Sequence, residues 1–517
     1  MLALIIAFPA IAALLLCVVP ARDERLIARL AVAAGVVWFA LMLGATTMFH
    51  SGTAEAMQLE MHGRYLDLGS SGALYYHLGA DGISMPLLLL TGLLMLVSLI
   101  YSAATIHTKV KSYFILFLLL GTGLAGTFLA LDLFLFYIFW ELAMIPMYFL
   151  IGIWGGPRRQ YAAIKFFIYT TVGSLCMLLA IIYLYFQSGQ YGARTDDIVE
   201  LMARGRQGHL AMGTALILCF WGFALAFAVK VPAFPLHTWL PDAHVEAPTA
   251  GSVMLAGAML KMGTYGLARI SLGLFPRQSC DYAMAFLIVG LIGLIYGSLC
   301  ALAQTDMKKM IAYSSVGHMG FVLLGIGAAA CILPHPGLDE TGAELARITA
   351  LDGAILQMVN HGLITGALFL LVGVIYERAH HRDIRRLGGL FAIMPVFSGF
   401  FLFMGMASLG LPGLAGFWGE FFVLSGTFQL HPAIGAVAVI GVILTAAYFL
   451  LLVQRTLMGP VNEENGRFLD LSHTEKFCIY PLAALILLLG LWPRLLLEPV
   501  NDVSRQIVRS LRIEVTP

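Results

Sequence analysis

Charge is scarce in this sequence. Only 11% of its 517 residues are Asp, Glu, Lys or Arg, against about 25% in an ordinary soluble domain. The formal net charge is +1, too little for a basic surface that would hold nucleic acid. Paired cysteines are missing too. Cys17, Cys176, Cys219, Cys280, Cys300, Cys331 and Cys478 include no C-x-x-C pair, and their spacing suits neither zinc nor an iron–sulfur cluster. No P-loop and no H-E-x-x-H zinc signature occurs. No metal and no other cofactor is therefore expected in this chain. The short alternating strands of a membrane β-barrel are also lacking.

What is present is apolar sequence in long runs. Of all residues, 60% are apolar, enough for at most about 15 membrane spans of roughly 20 residues each. Residues 113–154 form one nearly unbroken apolar stretch. In lipid every backbone polar group needs an internal partner, so the expected fold is an all-α polytopic bundle. Fourteen spans are expected, at 2–20, 27–49, 83–104, 111–130, 132–154, 161–187, 209–231, 247–275, 281–304, 309–332, 349–378, 389–428, 432–457 and 474–497. Residues 2–20 read as a span rather than a signal peptide, because the charges follow the apolar run. Loops after odd-numbered spans carry 14 Lys and Arg (Arg467 among them) against six after even-numbered spans. The positive-inside rule then puts both termini on the outer side. Val500, Val503, Ile507, Val508 and Leu511 recur at helical spacing, which predicts a tail helix lying on the membrane surface.

Against this apolar background the buried charges stand out. Glu141 lies mid-span, and Lys230 and Lys261 fall in apolar or broken-helix sequence. A cation at the bilayer centre is unfavourable by at least about 2.5–3.5 kcal/mol, so each needs a partner or a hydrated cavity. Either lysine could pair with Glu141. Pro232, Pro235, Pro241 and Pro248 interrupt the helix ladder around Lys230, His237, Asp242, His244 and Glu246. Gly410, Pro412, Gly413 and Gly416 repeat that device just before Glu420. Broken helices carrying charges are typical of ion pathways. His318 and His361 sit in helices rich in small residues, with Ser314 and Thr365 one turn away, and histidine can relay protons. Each has a plainer reading: a packing ion pair for Glu141, hydrogen bonding at a break for His237 and His244, and interhelical packing for His318 and His361. Asp132 reads as a helix N-cap, and Lys165 as a side chain extending toward the inner surface.

The stretch KVPAFPLHTWLPDAHVEAPTAGSVMLAGAMLKMGTYG (residues 230–266) resembles the proton-translocating antiporter-like subunits of respiratory complex I. FWELAMIPMYFLIGIWGG, QTDMKKMIAYSSVGHMGF, NHGLITGALFLLVGVIYER and LPGLAGFWGEFF extend the likeness over most of residues 80–460. The acid Glu420 and the end of the chain soon after the fourteenth span point to the M, or chain 4, branch. The resemblance implies two inverted five-helix repeats, each with a discontinuous helix, at 111–275 and 281–457. They would follow N-terminal helices at 1–110 and precede a last helix with an amphipathic tail at 474–517. It also implies that Glu141 pairs with Lys230, that Lys261 is the central lysine and that Glu420 lies at the exit. His237, His244, His318 and His361 would join a hydrophilic axis. Separating the Glu141–Lys230 pair would release a proton toward Lys261 and Glu420.

The resemblance further implies NADH–quinone oxidoreductase activity in a bacterial inner membrane, coupled to proton pumping. NADH, FMN, iron–sulfur clusters and quinone would reside in the other membrane and peripheral subunits, its expected partners besides membrane lipid. The alternatives are a multi-subunit Mrp-type cation/proton antiporter, a module of a hydrogenase or ferredoxin-fed complex, and a structural scaffold. The scaffold predicts that neutralising the buried charges leaves activity intact.

Overall fold

The computed structural model describes residues 1–50, 57–67, 73–207, 213–331, 337–462 and 468–513. The expected start of the seventh span at 209, the end of the tenth at 332, Arg467 and the tail beyond 513 lie outside them. In chain order the elements begin with α1 (Leu2–Val18), α2 (Glu24–Thr47), β1 (Gln58–Asp67) and β2 (Ala73–Ala80). There follow α3 (Ser84–Thr105), α4 (Val110–Leu129), α5 (Leu133–Trp154), α6 (Arg159–Ser188), α7 (Ile198–Arg206), α8 (Thr214–Lys230) and α9 (Trp239–Glu246). One crossing is then assembled from α10 (Thr249–Met254), α11 (Leu260–Gly266) and α12 (Leu272–Leu274), joined by wider π-helical turns at Leu255–Met259 and Leu267–Ser271. After α13 (Pro276–Asp281) come α14 (Ala283–Leu302), α15 (Met307–Ala330) and α16 (Glu340–Ala379). The chain continues through α17 (Leu390–Ile393), α18 (Pro395–Ser408), α19 (Ala415–Leu430), α20 (Pro432–Thr456), α21 (His473–Leu491) and α22 (Arg494–Ile513).

The protein is an integral, multi-pass membrane protein. Ten of the described helices are long and apolar enough to cross a membrane, and α1, α8 and α18 are shorter apolar helices. The most enclosed are α15 and α16, whose most apolar stretches are 94% and 100% buried. They form the central wall against which α14, α19 and the α10–α12 crossing pack.

Contacts between loops define two ends. At one end Lys111 Nζ donates to the Cys17 carbonyl at 2.6 Å, and Trp154 Nε1 to that of Thr108 at 2.7 Å. Arg382 donates to the Val245 carbonyl at 2.8 Å and pairs with Asp306 at 3.1 Å, while Arg378 pairs with Glu475 at 2.8 Å. The basic loops that follow odd-numbered spans thus meet at one end. At the other end lies an antiparallel hairpin of β1 and β2. The His77 carbonyl there accepts from Leu131 N at 2.8 Å. Asp132 caps α5 as expected, accepting from Leu135 N at 2.6 Å.

Three expectations need correction. The twelfth stretch, expected at 389–428 with a break around Pro412, does part there between α18 and α19, but it is divided once more, between α17 and α18 ahead of Pro395. The eleventh, expected to start at 349, begins at Glu340, because charged Glu344 and Arg347 occupy helical turns ahead of the apolar run. The tail is helical, but its apolar face lies on protein rather than on lipid: Val500, Val503, Ile507, Val508 and Leu511 are all buried. α22 packs across α12, α13, α15 and α16 at the hairpin end, held by Asn501 to Asp352 at 2.5 Å and Arg509 to Glu344 at 3.0 Å.

Candidate functional site

Two helix breaks shape the candidate site. α8 stops at Lys230, and α9 starts only at Trp239. Pro232 and Pro235 lie between and have no amide hydrogen to donate. The carbonyl of Val229, freed by the break, accepts from the Trp239 indole at 2.9 Å, as a membrane interior requires. α18 and α19 part in the same way between Ser408 and Ala415, where the Ala415 carbonyl accepts from Asn360 Nδ2 at 2.6 Å. Gly410 turns this second break at a φ of +75°, and a Cβ there would lie 2.8 Å from Glu420 Oε2. Both the turn and the space for the carboxylate therefore need glycine.

The ionisable side chains form two groups of different character. In the first, Lys230 is 1% exposed and its Nζ has no hydrogen-bond partner among the described residues. It stands 5.3 Å from the Trp140 ring centre and 5.6 Å from that of Phe166, a cation–π setting. Glu141, next to Trp140 on α5, is half-buried and lies within Coulombic reach of Lys230. Its Oε1 likewise has no hydrogen-bond partner among the described residues, so no direct bond joins the two charges. Gly263 admits α11 beside this group, because a Cβ there would sit 3.0 Å from Lys230 Cβ.

In the second group two hydrogen-bonded pairs approach each other across the rings of two histidines. Lys261 is fully buried and donates to the Ala256 carbonyl in the adjoining π-helical turn. Its Nζ lies 2.7 Å from His361 Nδ1. The rings of His361 and His318 are 5.6 Å apart, centre to centre. His318 Nδ1 is 3.2 Å from Glu420 Oε1, and its Nε2 is 3.0 Å from Ser408 Oγ. Gln357 Nε2 donates to Glu420 Oε1 at 3.4 Å. A cavity of about 10 Å3 lies among His318, Gln357, His361, Thr365 and Ser408, about the volume needed to seat one water centre.

The other expected residues are more scattered. His244 is fully buried, its ring nitrogens have no hydrogen-bond partner among the described residues, and its ring is stacked 4.6 Å from Phe369. The charges of Lys308 and Lys261 both reach it. His237 stands apart from the second group, among Phe234, Tyr296 and Tyr313. It is near Lys165, which pairs with Asp242 at 2.7 Å instead of reaching to the surface.

Two residues of the site were not anticipated. Lys308 reads in the sequence as a loop charge beside Lys309, yet it is only 6% exposed and donates to the Ala247 carbonyl at 2.6 Å. It borders a cavity of about 420 Å3 at the basic end, which Glu246, Glu377 and Arg382 also line. Gln357 is neutral and sits inside an apolar helix, so no charge pattern singles it out.

With this geometry in view, likeness to known proteins becomes informative. A family profile described as NADH:quinone oxidoreductase/Mrp antiporter, TM, matches residues 130–334 and 335–445. NADH-quinone oxidoreductase subunit M of Rhodobacter capsulatus is 45% identical over 86% of this chain and 84% of its own. The chain belongs to the NADH-quinone oxidoreductase subunit M family. NADH-ubiquinone oxidoreductase chain 4 of Chondrus crispus is 39% identical over 97% of this chain and 96% of its own. Among solved structures, respiratory complex I from Thermus thermophilus with bound NADH contains a chain that superposes with a TM-score of 0.84. That chain is 29% identical, with 99% of this chain and 100% of it covered. The Mrp complex of a Dietzia species gives a TM-score of 0.81 at 21% identity, covering 99% of both chains, which speaks to the fold alone.

Proposed function

We propose that this chain moves protons across the membrane as one pumping subunit of an NADH–quinone oxidoreductase. The observation that carries this reading is the file of buried ionisable groups, Lys261–His361–His318–Glu420, beside a helix break. Lys261 lends or receives a proton at His361. One water in the neighbouring cavity completes the path to His318 and Glu420. Glu141 and Lys230 control the supply: while the two charges face each other Lys230 keeps its proton, and separating them releases it toward Lys261. Protons arrive from the basic end through the cavity beside Glu246 and Lys308, and pass on by way of His244. Coulombic interactions strengthen when water is excluded, so small shifts of charge are enough to move a proton.

The break at Lys230 and the break before Glu420 mark two repeats, 111–275 and 281–457, between the N-terminal helices (1–110) and the last helix with its tail (474–517). The ten long helices, with α1, α8–α9, α10–α12 and α18–α19, make fourteen crossings. The basic end faces the cytoplasm of a bacterial inner membrane by the positive-inside rule, which leaves both termini outside. Electron transfer takes place in partner subunits that hold FMN, iron–sulfur clusters and quinone. The test is to isolate the tagged chain from its native membrane in mild detergent. Flavin, iron–sulfur signals and NADH–quinone activity are expected to come with it. Small membrane partners without redox centres would overturn the reading in favour of ion exchange.

A further inference from the structure

We propose that Glu60, His62 and His77 form a binding site for a divalent transition metal at the hairpin end. Glu60 and His62 are two residues apart on β1, and an irregularity in the register between Gln58 and Met61 sets the position of Glu60. His77 on β2 is the direct cross-strand partner of His62, and their rings stack with centres 3.6 Å apart. One ligand atom from each of the three side chains lies within 4.8 Å of the other two. Glu60 Oε2 is 3.2 Å from His62 Nε2 and 3.5 Å from His77 Nε2. A tetrahedral ion with bonds of about 2.1 Å holds its donors about 3.4 Å apart, so the three need little adjustment.

The state of His77 points to a cation. The side chain is 3% exposed, and its Nε2 has no hydrogen-bond partner among the described residues. Its Nδ1 is held by Asp197 Oδ2 at 2.7 Å. This is the carboxylate–histidine arrangement that fixes the proton on Nδ1 and leaves the Nε2 lone pair for a metal. Asp197 is itself fixed as the cap of α7, accepting from Glu200 N at 2.9 Å. Without a cation, that lone pair would face the Glu60 carboxylate. A bound ion would occupy that lone pair and the carboxylate together. Two imidazoles and one carboxylate suit Zn2+ or Cu2+ rather than the all-oxygen preferences of Mg2+ or Ca2+. The side chains of His62 and Glu60 are 59% and 42% exposed, so the ion enters from water. Once bound it ties β1 to β2, and through Asp197 to α7. His77 N also donates to Asp132 Oδ2 at 3.3 Å, so the hairpin is pinned to the start of α5. Cysteine spacing does not reveal this cluster, because strand pairing assembles it.

The test uses the intact assembly isolated through this chain and stripped of loosely held metal. It is titrated with Cu2+ and followed by electron paramagnetic resonance, and with Zn2+ by equilibrium dialysis. The wild type should show a Cu2+ signal split by two nitrogens and take up one Zn2+ more than the exposed-site variant His62→Ala. Asp197→Asn should bind at least about tenfold more weakly, as lost outer-shell partners of metal ligands do. His107→Ala, at the basic end, should match the wild type. Equal uptake by wild type and His62→Ala, whether one ion or none, overturns the proposal, as does a Cu2+ signal that His62→Ala leaves unchanged.

Discussion

The two groups of buried charge in this protein are built differently. Between Lys230 and Glu141 there is no direct bond among the described residues, and the aromatic rings of Trp140 and Phe166 frame the lysine. Between Lys261 and Glu420 each group touches the next or is separated by a cavity for about one water. A pair without a bond can be strengthened or weakened by a small displacement, which suits a switch. A file of bonded pairs with room for one water between them offers neighbouring positions of similar cost, which suits a relay. In the proposed pump one chain would need both. Contact alone would conduct in either direction, and an isolated pair alone would lead nowhere.

The comparison predicts unequal costs of mutation. The largest belongs to the switch, where no described side chain stands in for a missing partner. Glu141→Ala and Lys230→Ala should each lower NADH–quinone turnover of the isolated assembly by about 100-fold or more, the range for losing a positioned proton-transfer group. NADH oxidation by ferricyanide, which bypasses the membrane arm, should be unchanged in both variants. The relay should be more forgiving. His318→Ala and His361→Ala enlarge the adjoining cavity, and a water bridge replaces a direct hydrogen bond at about 0–2 kcal/mol. Turnover should therefore fall only about threefold to tenfold, and a loss equal to that of Glu141→Ala would erase the distinction between the groups. The smallest effect is expected far from both. Ser472 and Glu475 cap α21 reciprocally, and Ser472→Ala should lower thermal stability by about 1 kcal/mol with turnover per assembled complex unchanged.

Much of this arrangement is legible in the sequence, and the exceptions have physical reasons. Prolines without amide hydrogens mark the first break, and Gly410, Pro412 and Gly413 mark the second. Glu141, Lys230, Lys261 and Glu420 are conspicuous because charge is costly in apolar runs. The residues alone leave the partner of Glu141 open between two lysines, and only the family resemblance implies Lys230. In the structure Lys230 is the one its charge reaches, while Lys261 turns to His361. Gln357 escaped notice because a neutral amide leaves no trace in a charge pattern. Lys308 escaped because its neighbour Lys309 makes the pair look like an ordinary loop. The apolar face of α22 was legible, but not what covers it, since amphipathic spacing is the same against lipid and against protein. The hairpin cluster depends on which residue of β1 faces which of β2, a register that only the folded pair reveals.

Proton movement itself is the most direct test of the claim that an unbonded pair feeds a bonded relay. Inside-out vesicles carrying Glu141→Ala or Lys230→Ala can be pulsed with NADH while a fluorescent dye reports acidification of the lumen. The account predicts no acidification in either variant, with ferricyanide reduction at the wild-type rate. Acidification at the wild-type rate in both would contradict it and leave these charges a role in packing alone.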